Sequence, residues 1–365
     1  MFELVKNKSY KKYVICRVLS HKLAEKKNNI DDYQHRWNFI KKLTNPYELI
    51  YINSYNSISK YLPISRSYFK MWEILCTFDL LKENNHVACL AEGPGGFVEA
   101  INNFCKKKNT NVNIYGITLY SDNKGIPSWN NCKNKINDKN VHVMYGNLYK
   151  VQDIMNYNKM FFSFKKANLV TADGGIDYSS DYNKQEQMSY QIIYGEIVTS
   201  LLILEKGGNF VCKMFDMFTL FTMKLLCLID YYFDQFTLYK PYTSRVLNSE
   251  KYLIASGFKG IEKNDLSNLL NLLNKFDDDV VDINNIKVSN KFFHIISEYN
   301  EKFGNQQLEY LDQALEYAKN DITEYEKKKI IEKQIKNALQ WCTEYNVSIN
   351  MKSNYLLTFP STNSS

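Results

Sequence analysis

Four charged residues occupy unusual positions in this 365-residue sequence. Lys213 interrupts the otherwise apolar run GGNFVCKMF, and a lysine inside a buried strand is costly unless it has acidic partners or a task. Asp173 directly follows the apolar run ANLVTA, Lys70 lies within YFKMWEIL, and Glu250 begins the run EKYLIA. Each of these charges alone is more often a loop-capping or exposed residue, so their joint arrangement is what indicates chemistry.

A glycine-rich turn, LAEGPGGF at residues 90–97, precedes a segment whose pattern predicts a helix. Gly93, Gly95 and Gly96 allow a sharp turn, and the helix N-terminus offers free N–H groups to a ligand. The alternative is a strand-to-helix turn that requires glycine only for its backbone conformation and binds no ligand. The spacing differs from the GxGxxG of dinucleotide sites, and Glu92 inside the turn would repel a pyrophosphate. An acid here suits a ligand with a cationic amino-acid end, such as S-adenosylmethionine.

Short apolar runs predict the strands that must position these residues. They are residues 86–91, 113–119, 141–146, 167–172, 209–215, 236–240 and 251–256. Their alternation with helical patterns, including a helix predicted at 68–81, indicates an α/β fold with a mostly parallel sheet and helices on both faces. The last two runs predict an antiparallel hairpin at the sheet edge. Because open α/β sheets bind ligands outside the carboxyl ends of their strands, Asp173 is predicted to point into that crevice.

The two ends of the chain differ from this central part. Residues 1–60 are basic and predicted to be mostly helical, 258–350 are predicted to be an all-helical region, and 351–365 a flexible tail. Residues 1–260 contain 34 basic and 23 acidic residues (+11) and residues 261–365 contain 12 and 16 (−4), which sum to +7. The positive part suits a polyanion such as RNA, although solvated lysines explain many charge runs. The acidic part is predicted to be a separate helical element facing protein or solvent.

Cysteine usage and hydropathy narrow the class of protein. None of the eight cysteines forms a CxxC pair and only five histidines accompany them, so neither a structural zinc site nor a disulfide framework is expected. The first residues lack the apolar segment of a signal peptide, and the strongest apolar run, Met217 to Phe233, is interrupted by Lys224 and Asp230. These features predict a cytoplasmic protein with a buried helix and no membrane partner.

Five ordered motifs between residues 60 and 257 resemble those of FtsJ-like ribose 2′-O-methyltransferases of the mRNA-cap type: SRSYFKMWEI, AEGPGGF, TADGG, GGNFVCKMF and TSRVLNSEKY. The resemblance implies a Rossmann-like methyltransferase domain at 61–257, S-adenosyl-L-methionine as cofactor with no metal required, and capped mRNA as partner. Methylation of ribosomal or transfer RNA and a catalytically silent RNA-binding scaffold are the alternatives. The run TADGGIDYSSDYNKQEQ further resembles methyltransferases of large cytoplasmic DNA viruses, which implies the host cytoplasm, a virus factory or the virion as location.

The resemblance also assigns roles to individual residues. It places the family's catalytic tetrad on Lys70, Asp173, Lys213 and Glu250. It implies cofactor contacts from Glu92, Gly93, Pro94, Gly95, Gly96, Phe97, Thr118, Asn147 and Asp173. Asn147 stands where many members have an acid that accepts a hydrogen bond from the adenine amino group, and an amide oxygen can accept the same bond.

Lys213 is the predicted steering or basic group for the ribose 2′-hydroxyl. A lysine acts as a base only if its pKa falls from about 10.4 towards neutrality. Burial, Lys70 and the sulfonium of the cofactor would lower the pKa, whereas Asp173 and Glu250 would orient the two lysines and limit the fall.

RNA contacts are predicted on the basic face, where lysines of residues 1–60 would meet phosphates and aromatic rings would stack on bases. The individual candidates are Arg66 and Arg245 for the phosphates and, by location alone, the rings of Tyr68, Tyr120 and Trp129. Other capping or transcription proteins are the expected partners of the C-terminal helical region.

Overall fold

The computed structural model describes residues 2–6, 14–123, 128–129, 138–161, 166–176, 178 and 181–359. In this part of the chain the strands are β1 Glu3–Lys6, β2 Asn84–Leu90, β3 Asn111–Thr118, β4 Val141–Tyr145, β5 Ala167–Ala172, β6 Leu204–Met214, β7 Phe233–Tyr239, β8 Lys251–Phe258 and β9 Val280–Asn284. The helices are α1 Arg17–Asn28, α2 Gln34–Thr44, α3 Ser67–Thr77, α4 Gly96–Lys108, α5 Val151–Lys159, α6 Gln185–Met188, α7 Tyr190–Ile203, α8 Leu220–Tyr232, α9 Lys263–Leu273, α10 Asn290–Lys319, α11 Glu324–Glu344 and α12 Asn354–Thr358.

Seven strands form one sheet in the order β4-β3-β2-β5-β6-β8-β7. The five strands from β4 to β6 are parallel, and β8 is antiparallel to both of its neighbours. The predicted α/β fold with an antiparallel hairpin at one edge is therefore confirmed. Every predicted strand is present, and only the ends differ, most clearly in β6, which begins five residues earlier than its apolar run.

The central strands are buried on both faces of the sheet. In β2, Val87 and Cys89 point to one apolar cluster, which includes side chains of α3, α4 and α11. Ala88 and Leu90 point to the other, which includes side chains of α7 and α8. Successive side chains of a strand alternate between faces, so a continuous apolar run is what two covered faces require.

The prediction that residues 258–350 are all-helical is wrong at β9, which pairs antiparallel with β1 at the other end of the chain. The strand is only five residues long and lies beside an Asp-rich turn, so the local pattern gave little signal for it. In the predicted tail, Asn354–Thr358 forms a short helix, and residues 360–365 lie outside the described part.

The C-terminal region is also not a separate element. Helix α10 packs against α1 and α2 through an apolar cluster that includes Leu23, Ile40 and Leu311. A Lys26–Asp312 ion pair of 2.5 Å joins the basic and acidic ends of the chain. The expectation of an element facing other proteins or solvent is therefore wrong for this face of α10, because the N-terminal helices cover it.

The predicted buried helix in the run 217–233 is α8, and most of its side chains are buried. Lys224 within it donates from Nζ to Asp282 Oδ2 at 2.7 Å and to the Ile283 carbonyl at 2.7 Å, which ties α8 to β9. Among the described residues, no helix combines the length and the apolar character needed to cross a membrane.

Breaking this buried ion pair should destabilise the protein strongly. Both side chains are only 10% exposed, so Lys224→Met leaves the Asp282 carboxylate buried without its cation. We expect a loss of about 3–5 kcal/mol in the free energy of unfolding, measured by urea denaturation, and a smaller loss in the double variant Lys224→Met/Asp282→Asn. The matched control is Lys327→Met, which removes an exposed partner of Glu324 and should cost less than about 1 kcal/mol. Equal losses in the two single variants would contradict this account.

Candidate active site

The four predicted catalytic residues lie together at one end of the sheet. Asp173 follows β5, Lys213 is the penultimate residue of β6, Glu250 immediately precedes β8, and Lys70 projects from α3. Lys70 Nζ lies 2.6 Å from Glu250 Oε1, and Lys213 Nζ lies 3.4 Å from Asp173 Oδ1. All four side chains are between 12% and 15% exposed. Two ion pairs are therefore held in a nearly buried cluster at the carboxyl ends of the central strands, the edge at which ligands bind in this type of sheet.

Further hydrogen bonds fix the two carboxylates. Tyr252 pairs with Lys213 across the β6–β8 ladder, and its hydroxyl donates to Asp173 Oδ1 at 2.9 Å. Lys213 Nζ also donates to the main-chain carbonyl of Asp173 at 2.8 Å. The Ser244 hydroxyl donates to Glu250 Oε1 at 2.8 Å. Each catalytic candidate thus has a set orientation before any substrate arrives.

Lys213 remains a cation in this environment. Burial alone lowers the pKa of its ammonium group, but Asp173, Glu250 and Glu196 outweigh the burial and raise the pKa above the ordinary value for lysine. The expectation that the pKa falls towards neutrality is therefore wrong for the protein without ligand. The acids around a buried lysine stabilise its charged form more than desolvation opposes it.

Glu250 is held ionised by three surrounding lysines. Burial raises the pKa of its carboxyl group, but Lys70, Lys213 and Lys240 outweigh this and bring the pKa to about 2. Lys240 itself donates to the carbonyls of Asn248 and Glu250, both at 2.7 Å, and burial lowers its pKa to about 7. The segment that carries Glu250 is thus tied down by its main chain as well as by its side chain.

The glycine-rich turn joins β2 to α4 as predicted. Gly95 adopts a φ of 115°, a conformation that favours glycine, and α4 begins at Gly96. A Cβ on Gly96 would lie 2.1 Å from the Ser67 hydroxyl oxygen at the start of α3, so this position also requires glycine for close approach. The turn therefore brings the N-terminus of α4 against the helix that carries Lys70.

Glu92 lies in this turn, and only one of its two carboxylate oxygens accepts a hydrogen bond from the described residues. Its Oε1 accepts from the Phe97 N–H at 2.7 Å, whereas Oε2 is buried and has no hydrogen-bond partner among the described residues. Burial and the nearby Asp173 raise the pKa of this carboxyl group well above its usual value. A cationic ligand group beside Oε2 would restore the charged form, so the turn fits the amino-acid end of S-adenosylmethionine.

The other predicted cofactor contacts lie around the same turn. The Thr118 hydroxyl accepts from the Gly93 N–H at 3.1 Å, so it supports the turn directly. The Phe97 ring is fully buried, 5.8 Å from the Tyr252 ring, and only its main chain faces the turn. Asn147 Oδ1 already accepts from the Tyr149 N–H at 2.9 Å, and its second lone pair is the one that an adenine amino group would use.

Comparison with known proteins agrees with this geometry. The family model for FtsJ-like methyltransferases matches residues 63–258, more than half of the chain. The chain belongs to this FtsJ-like family. It is 32% identical over 294 residues to a cap-specific mRNA (nucleoside-2′-O-)-methyltransferase 1 of Dictyostelium discoideum, covering 71% of this chain and 37% of the relative.

Two further relatives each match about half of this FtsJ-like protein. The methyltransferase EP424R of African swine fever virus is 30% identical over 206 residues, covering 52% of this chain and 48% of the relative. A cap-specific mRNA (nucleoside-2′-O-)-methyltransferase 1 of Trypanosoma brucei brucei is 32% identical over 177 residues, covering 47% of this chain and 46% of the relative. The chain thus spans less than half the length of each of these relatives.

The arginines predicted to bind RNA are instead joined to the N-terminal part of this FtsJ-like protein. Arg245 donates to both carboxylate oxygens of Glu48, at 2.8 and 3.1 Å, and Arg66 lies 3.5 Å from the same carboxylate. Arg66 also donates to the carbonyls of Tyr47 and Tyr51, both at 3.2 Å. Both guanidinium groups thus anchor Glu48, which is 4% exposed, against the methyltransferase domain.

The predicted aromatic candidates have different surroundings. Tyr68 is 4% exposed and packs between Tyr61 and Trp72, and Trp129 is 1% exposed and packs on Gly116, so both rings belong to the core. Tyr120 is 58% exposed beyond the end of β3 and is the candidate that a base can reach. Among the lysines of residues 1–60, Lys8, Lys11 and Lys12 lie outside the described residues.

Sequence reasoning missed Glu196, which lies in α7 beneath the site. Its Oε1 accepts from the Gly174 N–H at 2.9 Å, and it is one of the acids that raise the pKa of Lys213. A glutamate inside the apolar run IIYGEIVTSLL is the same kind of signal as a lysine inside an apolar strand. The pattern that revealed Lys213 could therefore have revealed Glu196.

A cleft of ≈ 410 Å³ opens beside the tetrad. Lys213 and Glu250 line one wall together with Gly175, Tyr178 and Phe215. The same cleft is also lined by side chains of α1, α2 and α10, which lie outside the residues that match the FtsJ-like family model.

Glu196 gives a testable dependence of stability on pH. Burial raises its pKa to about 8, against about 4.3 in an unfolded chain. The folded protein therefore binds more protons between these values, and the contribution of Glu196 to stability is full below about pH 4 and is lost as the pH rises through about 8. Glu196→Gln keeps an oxygen for the Gly174 N–H but does not titrate.

Urea denaturation of both proteins at pH 5 and pH 8 measures the effect. Between these two values the wild type should lose on the order of 3 kcal/mol more stability than Glu196→Gln. The matched control is Glu205→Gln in β6, which removes a half-buried carboxylate that pairs with Lys82 away from the site, and it should follow the wild type. The same pH dependence in wild type and Glu196→Gln would contradict the raised pKa.

Proposed function

We propose that this protein transfers a methyl group from S-adenosylmethionine to the ribose 2′-hydroxyl of a nucleotide near the 5′ cap of mRNA. The observation that carries the proposal is the complete Lys70–Glu250 and Lys213–Asp173 constellation beside the glycine-rich turn. The cap-specific names of relatives at 32% identity support the same substrate. A cytoplasmic location and capping or transcription partners stay predictions.

In this proposal the glycine-rich turn holds the cofactor. Glu92 Oε2 would face the cationic amino group, and the free N–H groups at the start of α4 would face the carboxylate. The cofactor supplies an electrophilic methyl group when bound. Asp173 stands between this turn and Lys213, because its main-chain N–H donates to the Leu90 carbonyl at the end of β2.

Lys213 would orient the ribose hydroxyl as a cation. Its raised pKa keeps three N–H donors on Nζ, of which one goes to the Asp173 carbonyl. A remaining donor would hold the 2′-oxygen in line with the methyl group and stabilise the negative charge that develops on it as the hydroxyl proton passes to water in the open cleft, because a charged lysine cannot accept that proton. Positioning of this kind contributes about 7–11 kcal/mol to catalysis in favourable cases. Lys70 and Glu250, which form the other ion pair of the cluster, would also hold the ribose in position.

Arg66 and Arg245 have an indirect role in this proposal. Since both guanidinium groups are engaged by Glu48, they would support the N-terminal segment that borders the RNA rather than contact RNA themselves. Tyr120 remains the exposed ring near the adenosine side of the site.

Removal of Lys213 should abolish methyl transfer and leave cofactor binding near normal. Lys213→Ala deletes the ammonium group that orients the 2′-oxygen but leaves the glycine-rich turn intact. Radiolabel transfer to a short capped RNA should fall about 10²–10³-fold, as for loss of a group that stabilises developing charge, while the Kd for S-adenosylmethionine changes less than about threefold. The matched control, Lys206→Ala, removes an exposed lysine from the same strand and should retain full activity.

The same assay tests the substrate. Wild-type protein should label capped RNA at the first or second transcribed ribose, and uncapped RNA of the same sequence should remain unlabelled. Equal labelling of both RNAs would refute the cap-specific proposal. Substantial activity of Lys213→Ala would refute the role assigned to Lys213.

A further inference from the structure

Part of the lining of the cleft beside the tetrad is a stripe of side chains along α2. Gln34, Trp37 and Lys41 all line the cleft, and their spacing of three and four residues places them on one face of the helix. This stripe lies before residue 63, where the match to the family model begins. Residues 1–60, the N-terminal extension, therefore supply part of the lining of the cleft that contains Lys213.

Lys41 differs from the other cations around the cleft. Lys27 pairs with Asp216 at 2.9 Å, and Arg245 pairs with Glu48 at 2.8 Å. Lys41 makes no hydrogen bond or ion pair within the described residues, and burial, Arg245 and Lys42 lower its pKa more than the nearby Glu48 raises it. A half-buried ammonium group beside another cation is a site at which an anion binds favourably.

Trp37 provides an aromatic surface one helical turn from this cation. Its half-buried ring packs against the cluster formed with Leu19, Ile40 and Leu311 and also borders the cleft. The packing limits the motion of the ring, and a base can stack on the side that faces the cleft. A fixed indole and an unpaired cation on one helix face match the two parts of a nucleotide, a flat base and a phosphate.

We propose that Trp37 and Lys41 bind one nucleotide of the RNA 5′ end, the indole stacking on the base and the ammonium group pairing with a phosphate. This inference rests on the proposed function, because it takes the nucleotide that enters the cleft to be part of the methyl acceptor. The nucleotide is either the cap nucleoside with its phosphate bridge or a transcribed nucleotide, since both present a base and a phosphate.

Fluorescence anisotropy with labelled short RNAs tests the proposal on the full chain. Trp37→Ala and Lys41→Gln should each raise the Kd for capped RNA about tenfold, equivalent to about 1.4 kcal/mol. The matched controls lie on the same helix but outside the cleft: Phe39→Ala removes an exposed ring and Lys42→Gln an exposed lysine. Both controls should bind as the wild type does, and Trp37→Phe should retain most of the affinity.

Salt dependence separates a phosphate contact from a merely structural role. A lysine that pairs with one phosphate of a single strand contributes about 0.7 to the slope of log Kd against log salt. The slope of log Kd against log salt should be smaller by this amount for Lys41→Gln. For Trp37→Ala the slope should be unchanged, and the affinity should be lower at every salt concentration. A slope unchanged in Lys41→Gln would overturn the phosphate contact.

Two RNAs distinguish the source of the nucleotide. Loss of affinity for capped RNA alone assigns the stripe to the cap nucleoside, and equal loss for RNA with a 5′-triphosphate assigns it to a transcribed nucleotide. Affinities of Trp37→Ala and Lys41→Gln that match their controls would overturn the inference while wild-type methyl transfer to capped RNA still stands. Absence of wild-type transfer to any RNA would instead overturn the proposed function.

Discussion

The burial of Lys213 at the end of a central strand is the constraint on which the site depends. A cation in this position is tolerated only if acids surround it, and Asp173 and Glu250 do so from the ends of β5 and β8, with Glu196 of α7 added when the pH rises above its pKa of about 8. Glu250 in turn requires cations, which α3 supplies as Lys70. These alternating acidic and basic side chains therefore fix the relative positions of elements that are distant in sequence. The same arrangement can bind a polar reactant.

A second buried charge joins the N-terminal extension to this core. Glu48 binds Arg245, which precedes Glu250 by five residues, and Arg66, which precedes Lys70 by four. The two segments that carry the Lys70–Glu250 ion pair are thus both bound to the Glu48 carboxylate. The uneven distribution of charge along the sequence has a related explanation, because acids of the C-terminal helices meet bases of the N-terminal ones, as in the Lys26–Asp312 pair.

The sequence predicts the sheet and the tetrad well because both leave local signals. Apolar runs predict strands, and a charge inside such a run reveals a buried site, as at Lys213. The short strand β9 leaves no comparable signal, since its partner β1 lies at the opposite end of the chain. Tyr68 and Trp129 lie close to the site along the chain but point into the core, and position after a strand does not reveal which way a ring faces. Likewise, no local pattern pairs Arg66 and Arg245 with Glu48.

The C-terminal region supports the site through two main-chain contacts. From α10, Asn300 donates to the Met217 carbonyl and Gln307 to the Leu247 carbonyl, both at 2.8 Å and both nearly buried. Met217 follows Lys213 by four residues and Leu247 precedes Glu250 by three, so one helix holds the segments beside both tetrad members. Side-chain amides satisfy these loop carbonyls where no strand partner can, and an unpaired buried carbonyl costs about 1–3 kcal/mol. The methyltransferase sheet alone therefore does not complete the site. Residues 1–60 before it and helix α10 after it line the cleft beside Lys213, and α10 holds the neighbouring loops in place.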